Sequence, residues 1–336
     1  MIAVGLDFEH RTLTHRECAP PEIATAHQVL FRIREVGVCG TDREMAAFHL
    51  GRPPAGEHFL TIGHEAVGQV EQIGPAVTTL AQGDWVAPMV RRSCQPPCPQ
   101  CASGRRDLCL TGAYTERGIF DAHGYFSEFA VDDECDLVRI PPSILDRAVL
   151  VEPLSVVEKA LDTAFRIHEG DARTALVLGA GPVGILAALV LVHRGLEVAV
   201  HSLEPSSDPR AQLLASAGVR YTEGNLPQAD LVIEATGAPP AAFTAMDRLS
   251  RNGVACILGA RDGHGVFPAR NLVLHNLRVF GSVNASPAST KAAVADLEAL
   301  DPRPLDALIH RVPWAAYRES MTGPPAQRIK LVHRFE

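Results

Sequence analysis

Leu178-Gly179-Ala180-Gly181-Pro182-Val183-Gly184 decides the fold. This is a G-x-G-x-x-G turn, preceded by the apolar run 175–178 and followed by the longer apolar run 183–193. The first glycine permits a tight turn, the second lets backbone approach a pyrophosphate, and the third lets helix and strand pack closely. Amides at the start of the helix then face the phosphates. Strand, turn and helix stand in the order the motif requires. Gly179, Gly181, Pro182, Val183 and Gly184 are therefore candidate cofactor-binding residues.

Downstream the alternation continues. Residues 197–201 read as strand, 209–217 as helix, 231–234 as strand, 241–249 as helix and 254–258 as strand. Short strands alternating with helices imply a parallel, doubly wound α/β sheet of the Rossmann kind. Pro239-Pro240 and Pro324-Pro325 read as loops. An acidic residue about 20 positions past the turn holds the adenosine ribose in such folds, and Glu204 occupies that place. Its carboxylate would repel a 2′-phosphate and favour NAD over NADP, while Ser202, Ser206, Ser207 and Arg210 nearby offer phosphate contacts.

Upstream the pattern changes. The first 150 residues hold many Gly and Pro between short β-type runs at 28–36, 66–73, 85–89 and 126–131. That predicts an irregular, mainly antiparallel β domain. Pro141-Pro142 mark a boundary, a helix is expected over roughly 149–168, and the tail from about 285 returns to mixed helix and strand. The expected organisation is a catalytic domain formed by 1–153 and 286–336, and a dinucleotide-binding domain at 154–285. A chain of 336 residues is too long for one ordinary core, which agrees with two domains.

Bulk properties narrow the function. Hydrophobic residues make up 46% and charged residues 21%, with a mean hydropathy of +0.06. No apolar run approaches the roughly 20 residues of a membrane helix. The first ten residues lack a basic stretch followed by an apolar one, so no secretory leader is expected and the cytoplasm is the expected compartment. A net charge of −8 argues against nucleic acid, which needs a basic face.

Four of the eight cysteines crowd together as Cys94, Cys98, Cys101 and Cys109, a C-x3-C-x2-C-x7-C set in a lobe at 93–110. Four thiolates in a polar, Pro-rich segment suit closed tetrahedral zinc, which would supply much of the segment's order. A second, scattered set comprises Cys39 in Val38-Cys39-Gly40-Thr41-Asp42, His64-Glu65 after Gly63, and Glu152 in Val151-Glu152-Pro153. A catalytic zinc takes about three protein ligands and keeps an open position, and Cys, His and Glu are suitable donors. Asp42 is placed to accept the other ring N–H of His64, and Thr41 to bond a substrate hydroxyl.

Together these residues resemble the zinc-dependent medium-chain dehydrogenase/reductase superfamily over essentially the whole chain. The likeness includes Glu234-Ala235-Thr236-Gly237 as well as the cysteine set and the Gly-rich turn. Within the superfamily the chain is most similar to the glucose 1-dehydrogenases first known from archaea. That likeness rests on Glu116-Arg117-Gly118-Ile119 and on 122–129, 137–141, 151–155, 158–160, 274–276 and 281–284. The resemblance implies a GroES-like catalytic domain and a catalytic zinc on Cys39, His64 and Glu152, with Glu65 entering or leaving its shell. It implies lobe zinc on the four clustered cysteines, so two Zn2+ per chain. Thr41 would touch the substrate hydroxyl or nicotinamide ribose, Thr236 the cofactor, Glu116 the sugar hydroxyls, and Asn284 both nicotinamide and sugar.

Several positions depart from that pattern. The family lobe usually opens C-x2-C, whereas one more residue separates Cys94 from Cys98. Val90 and Val156 stand where some members carry an Asn and an Asp. Ser202-Leu203-Glu204 replaces the Arg pair that favours NADP in some members. Glu44 stands where the superfamily's relay His sits.

The expected reaction is oxidation of the C1 hydroxyl of an aldose such as glucose to the lactone, with NAD or NADP as acceptor. Zinc lowers the pKa of the hydroxyl, hydride passes to the nicotinamide in a cleft between the domains, and the proton leaves through Thr41, a ribose hydroxyl or Glu65. A sugar needs convergent hydrogen-bond partners, and Glu116, His123, Glu152 and Asn284 are candidates. The alternative in the same class is a polyol, cyclitol or L-threonine dehydrogenase. A non-catalytic scaffold or zinc-ribbon module is disfavoured, since Cys39 and His64 are both present and a basic stripe is not. The apolar stretch 272–282 is expected to pair with a second subunit, giving a homodimer or homotetramer.

Overall fold

The computed structural model describes residues 1–259, 261–323 and 328–335; Pro324-Pro325 lie outside them. The chain separates into two compact units. One comprises Met1–Glu152, Asn284–Glu298 and Leu308–Glu336; the other comprises Pro153–Val283 and Ala299–Ala307.

The first unit is built on Gln28–Gly37, whose side chains alternate in burial from Gln28 to Glu35. The period of two sends Val29, Phe31 and Ile33 to the core face. Spatially the sheet runs Leu137–Ile140, Trp85–Pro88, Glu65–Ile73, Gln28–Gly37, Lys330–Arg334, Ile309–Pro313, and Phe129–Asp133 also pairs with Gln28–Gly37. Every pairing is antiparallel except the last in that order, which is parallel. Phe31, Val36, Leu60, Ile62, Tyr125 and Phe126 close the core, each fully buried apolar side chain contributing about 1.5–3 kcal/mol.

Here the structure corrects two readings. The strand expected at 126–131 runs Phe129–Asp133. Phe126 precedes it and drops into the core, its N–H bonding the Ile62 carbonyl at 2.9 Å. Ile2–Asp7 and Thr12–Glu17 form an unanticipated antiparallel pair. Thr12–Glu17 buries only Leu13, too little apolar content to announce a strand.

The second unit comprises β1 (Thr174–Leu178), α1 (Pro182–His193), β2 (Glu197–His201), α2 (Pro209–Ser216), β3 (Arg220–Thr222), β4 (Ala229–Glu234), α3 (Pro239–Asp247), β5 (Leu249–Ile257) and β6 (Arg278–Gly281). All neighbours are parallel, in the spatial order β3-β2-β1-β4-β5-β6. That is the Rossmann order, whose reversal between β1 and β4 opens a crevice at the carboxyl ends of the strands. β1 and β4 are buried almost throughout, as strands covered on both faces must be. α1 is buried from Gly184 to Leu191 and apolar on every side. Pro239 and Pro240, read as a loop, instead open α3. A proline lacks only an N–H that the first turn leaves unbonded anyway, and its fixed φ suits the helix.

Candidate active site and metal centres

The three glycines of the turn meet three different demands. Gly179 lies at φ +106° with the Ala235 backbone 3.0 Å from where a Cβ would stand, and a Cβ on Gly184 would come within 2.0 Å of the Gly179 oxygen. Side chains are excluded at both. Gly181, the N-cap of α1, faces open space within 4 Å. The start of a helix is where an anion is best accommodated. Next to it the buried Glu234 accepts from the Thr236 N–H at 2.7 Å, the Gly237 N–H at 3.0 Å and the Gly259 N–H at 3.0 Å. It thereby fixes Thr236 and Gly237 beyond the end of β4. Past β2, the Glu204 carboxylate is held by Ser202 and Arg210, and its carbonyl accepts from the Tyr221 hydroxyl at 2.6 Å. Burial raises the Glu204 carboxyl, but the bond from Ser202 and the charge of Arg210 outweigh it, so the group sits below its usual range.

In the first unit Cys39 caps the helix Gly40–Ala46. Its thiol accepts from the Thr41 N–H at 3.2 Å while Asp42 accepts from the Cys39 N–H at 2.9 Å, a capping box. Cys39 Sγ lies 3.1 Å from His64 Nε2, and His64 Nδ1 faces Asp42 Oδ1 at 3.5 Å. Donor atoms of Cys39, His64 and Glu65 all fall within 4.8 Å of one another. Burial alone would lower the His64 imidazole, but Cys39 and Asp42 raise it well above the ordinary value. Glu152 stands outside this threesome. It opens the helix Val151–Ile167, and burial, added to by Glu65, lifts its carboxyl to about 7 against the pull of His64. Thr41 is half-buried in the first turn of the short helix.

Lys330 escapes a reading of the sequence. It sits in the strand Lys330–Arg334, fully buried, pairs with Glu65 and donates to the Val38 carbonyl at 3.2 Å. Burial opposes its charge, yet Glu65 and Cys39 hold its pKa above the usual value. The one available signal was a lysine inside an apolar run.

Glu116 and Asn284 are brought together across 168 residues, Asn284 Nδ2 donating to Glu116 Oε1 at 2.8 Å. Arg91, also unanticipated, donates to the same oxygen at 2.9 Å and to the Asp107 carbonyl at 3.1 Å. Its guanidinium lies 3.8 Å over the Tyr114 ring. His123 is engaged elsewhere: Nδ1 accepts from the Thr61 N–H at 3.1 Å and Nε2 faces Glu57 at 3.0 Å. Backbone joins these parts. Cβ atoms on Gly118 and Gly124 would fall 2.4 and 2.3 Å from the Gly63 oxygen, so both segments press directly on the residue before His64.

Cys94, Cys98, Cys101 and Cys109 also converge within 4.8 Å, so the extra residue after Cys94 does not displace it. The Cys98 N–H donates to Cys94 Sγ at 3.2 Å and the Leu110 N–H to Cys98 Sγ at 3.5 Å. Burial pushes the Cys101 thiol up to about 11, while the Thr111 hydroxyl draws Cys109 down to about 6. Amide-bonded sulfurs of mixed pKa, pointing at one another, suit a thiophilic cation.

Comparison with known proteins bears on the whole chain. Residues 25–142 match the alcohol dehydrogenase GroES-like domain and residues 145–332 the glucose dehydrogenase C-terminus. Glucose 1-dehydrogenase of Methanocella arvoryzae is 38% identical over 300 residues, covering 83% of each chain. That of Thermoproteus tenax is 38% identical over 315 residues, covering 87% of this chain and 88% of the relative. A solved structure of Haloferax mediterranei glucose dehydrogenase, in complex with NADP, zinc and gluconolactone, superposes with a TM-score of 0.92. It is 32% identical and covers 100% of this chain and 99% of its own.

Proposed function

The chain belongs to the glucose 1-dehydrogenase family of zinc-dependent medium-chain dehydrogenases, and from that premise we propose that it oxidises the C1 hydroxyl of an aldose to the lactone, with NAD(P) as hydride acceptor. The observation that carries the reading is the convergence of Cys39, His64 and Glu65 beside the buried Lys330, in a chain that also holds Glu116 and Asn284 as one hydrogen-bonded pair.

Cys39, His64 and the nearby carboxylates, Glu65 and Glu152, fit a catalytic zinc. Zinc, a borderline-soft ion, accepts a soft sulfur, an imidazole nitrogen and hard carboxylate oxygens together, and Asp42 fixes the imidazole from behind. Zinc there supplies a Lewis acid that lowers the pKa of the sugar hydroxyl, and the nicotinamide carries the redox change. The protein's residues do the rest. The Thr41 hydroxyl accepts a hydrogen bond from the C1 hydroxyl and orients it; as it takes that proton it releases its own to the nicotinamide ribose hydroxyl or to Glu65. Glu116 accepts from sugar hydroxyls, its second oxygen left for them once Arg91 and Asn284 share the first. Asn284 holds its carboxamide between Glu116 and the substrate. Lys330 holds Glu65 by charge and would compete with the metal for its carboxylate.

On the nucleotide side, Gly179–Gly184 receive the pyrophosphate. Glu204 accepts from the ribose diol, and Arg210 offers a counter-charge to a 2′-phosphate; both cofactors are accepted, with NAD favoured. The lobe cysteines hold a second, structural zinc. Four clustered thiols serve only while reduced, which fits the cytoplasm. Among the described residues no helix is long and apolar enough to cross a membrane. The exposed Val279 on the edge strand β6, with the exposed Val273 and Leu274 in the helix Ala269–Leu274 that precedes it, fits a homodimer or homotetramer joined there.

A panel of aldoses, polyols and L-threonine with NAD and with NADP, read by absorbance of the reduced cofactor, tests the reading. Aldoses are expected to turn over. Cys39→Ala is expected to lower turnover roughly a thousandfold, as loss of several kcal/mol of charge stabilisation requires. Inertness toward every aldose removes the sugar assignment, and full turnover in Cys39→Ala removes the metal assignment.

A further inference from the structure

Both tryptophans of the chain, Trp85 and Trp314, line a single cavity of about 950 Å³ in the first unit. None of the candidate active-site residues lines it. Its size lies in the range of small-molecule sites, and its walls combine aromatic rings with charged side chains. The Trp314 ring is parallel to Phe335 within 1°, centroids 6.2 Å apart, which gives the cavity a rigid apolar wall.

The polar residues define what such a site would take. Arg34 is half-buried with only the neutral Gln69 as a bonded partner, at 3.2 Å, and no carboxylate among the described residues pairs with it. Arg334 shares the single carboxylate of Glu35 with Arg311, at 2.9 and 2.6 Å, so that trio carries one surplus positive charge. Against these stand Glu128, which spends one oxygen on the Ile2 N–H at 2.6 Å, and Asp146, whose carboxylate pairs with no cation among the described residues. Charges balance: Arg34 and the surplus of the trio against Glu128 and Asp146. A net anion or cation therefore gains little. Donors and acceptors face the same space, and a neutral group that answers both is the hydroxyl, which donates one hydrogen bond and accepts two. An apolar ring face beside several hydroxyls describes a pyranose.

We infer that this cavity is a second, non-catalytic binding site for a neutral aldose, distinct from the site at Cys39 and His64. Its occupancy would report the supply of sugar without consuming it.

The test is a titration of the zinc-loaded enzyme with D-glucose in the absence of NAD and NADP, followed by intrinsic tryptophan emission. A saturable change in emission is expected, together with two glucose molecules bound per chain by equilibrium dialysis. Asp146→Asn, an exposed position that folding tolerates, and Arg34→Met should each raise the half-saturating concentration at least tenfold while kcat/KM for glucose stays within twofold. An unchanged emission spectrum, a change that both variants leave intact, or one glucose per chain overturns the inference. Those results leave the dehydrogenase reading standing. Two sites without turnover would do the reverse.

Discussion

At the scale of single residues, the Glu116–Asn284 pair makes the sharpest prediction. Asn284→Ala removes one neutral donor to a carboxylate, worth about 1.5 kcal/mol or roughly tenfold. Steady-state kinetics should show KM for aldose rising by that factor while the melting temperature holds within a few degrees. Glu116→Ala is a poor test of the same idea, because it strands the buried Arg91. At Glu204 and Arg210 the expectation is reciprocal. Glu204→Gln should shift the ratio of kcat/KM values toward NADP, and Arg210→Ala should shift it toward NAD; movement of both in one direction would refute separate roles. A pH signature comes from His333. Burial holds its imidazole below the ordinary value, so the fold keeps it neutral and the unfolded chain protonates first. Its contribution is complete above about 6.5 and declines as pH falls toward the lower folded value, at a limiting slope of roughly 1.4 kcal/mol per pH unit. Urea denaturation at about pH 7.5 and 5.5 should therefore show wild type losing more stability than His333→Gln.

At the scale of elements, the turn before α1 separates two roles that the sequence pattern lumps together. Gly184→Ala puts a carbon 2.0 Å from the Gly179 oxygen and should lower stability by several kcal/mol. Gly181→Ala meets nothing within 4 Å and should leave melting of the cofactor-free chain nearly unchanged while weakening NAD(P) binding. Calorimetry with and without cofactor distinguishes them. This turn was legible because its chemistry is local: seven consecutive residues carry strand end, bend and helix start. The clustering of the four lobe cysteines was legible for the same reason. Thr12–Glu17 was not, because a strand that buries one leucine leaves no periodic trace. Pro239-Pro240 misled because proline interrupts a helix interior yet suits its first turn. Lys330 and Arg91 were invisible for another cause. Lys330 gains its meaning from Glu65, 265 positions away in sequence, and the one local sign, its place in an apolar run, does not name that partner.

For the molecule as a whole, metal analysis should find about two zinc ions per chain, one of them lost in Cys109→Ser. The loss should reach the substrate. Arg91 bonds the lobe carbonyl of Asp107 and the carboxylate of Glu116 at once, so an unpinned lobe frees Arg91 and slackens Glu116. Cys109→Ser should accordingly raise KM for aldose more than it lowers kcat, besides lowering the melting temperature. The contact of Gly63 with Gly118 and Gly124 has a further consequence, for descent rather than for catalysis. Three backbone segments meet where none can thicken or retreat alone. A change that shifts the stretch bearing Glu116 is expected to shift the residue preceding His64 with it. New sugar preferences are then open to exchange of side chains at a fixed frame, and closed to the lengthening of loops by which many enzymes diversify.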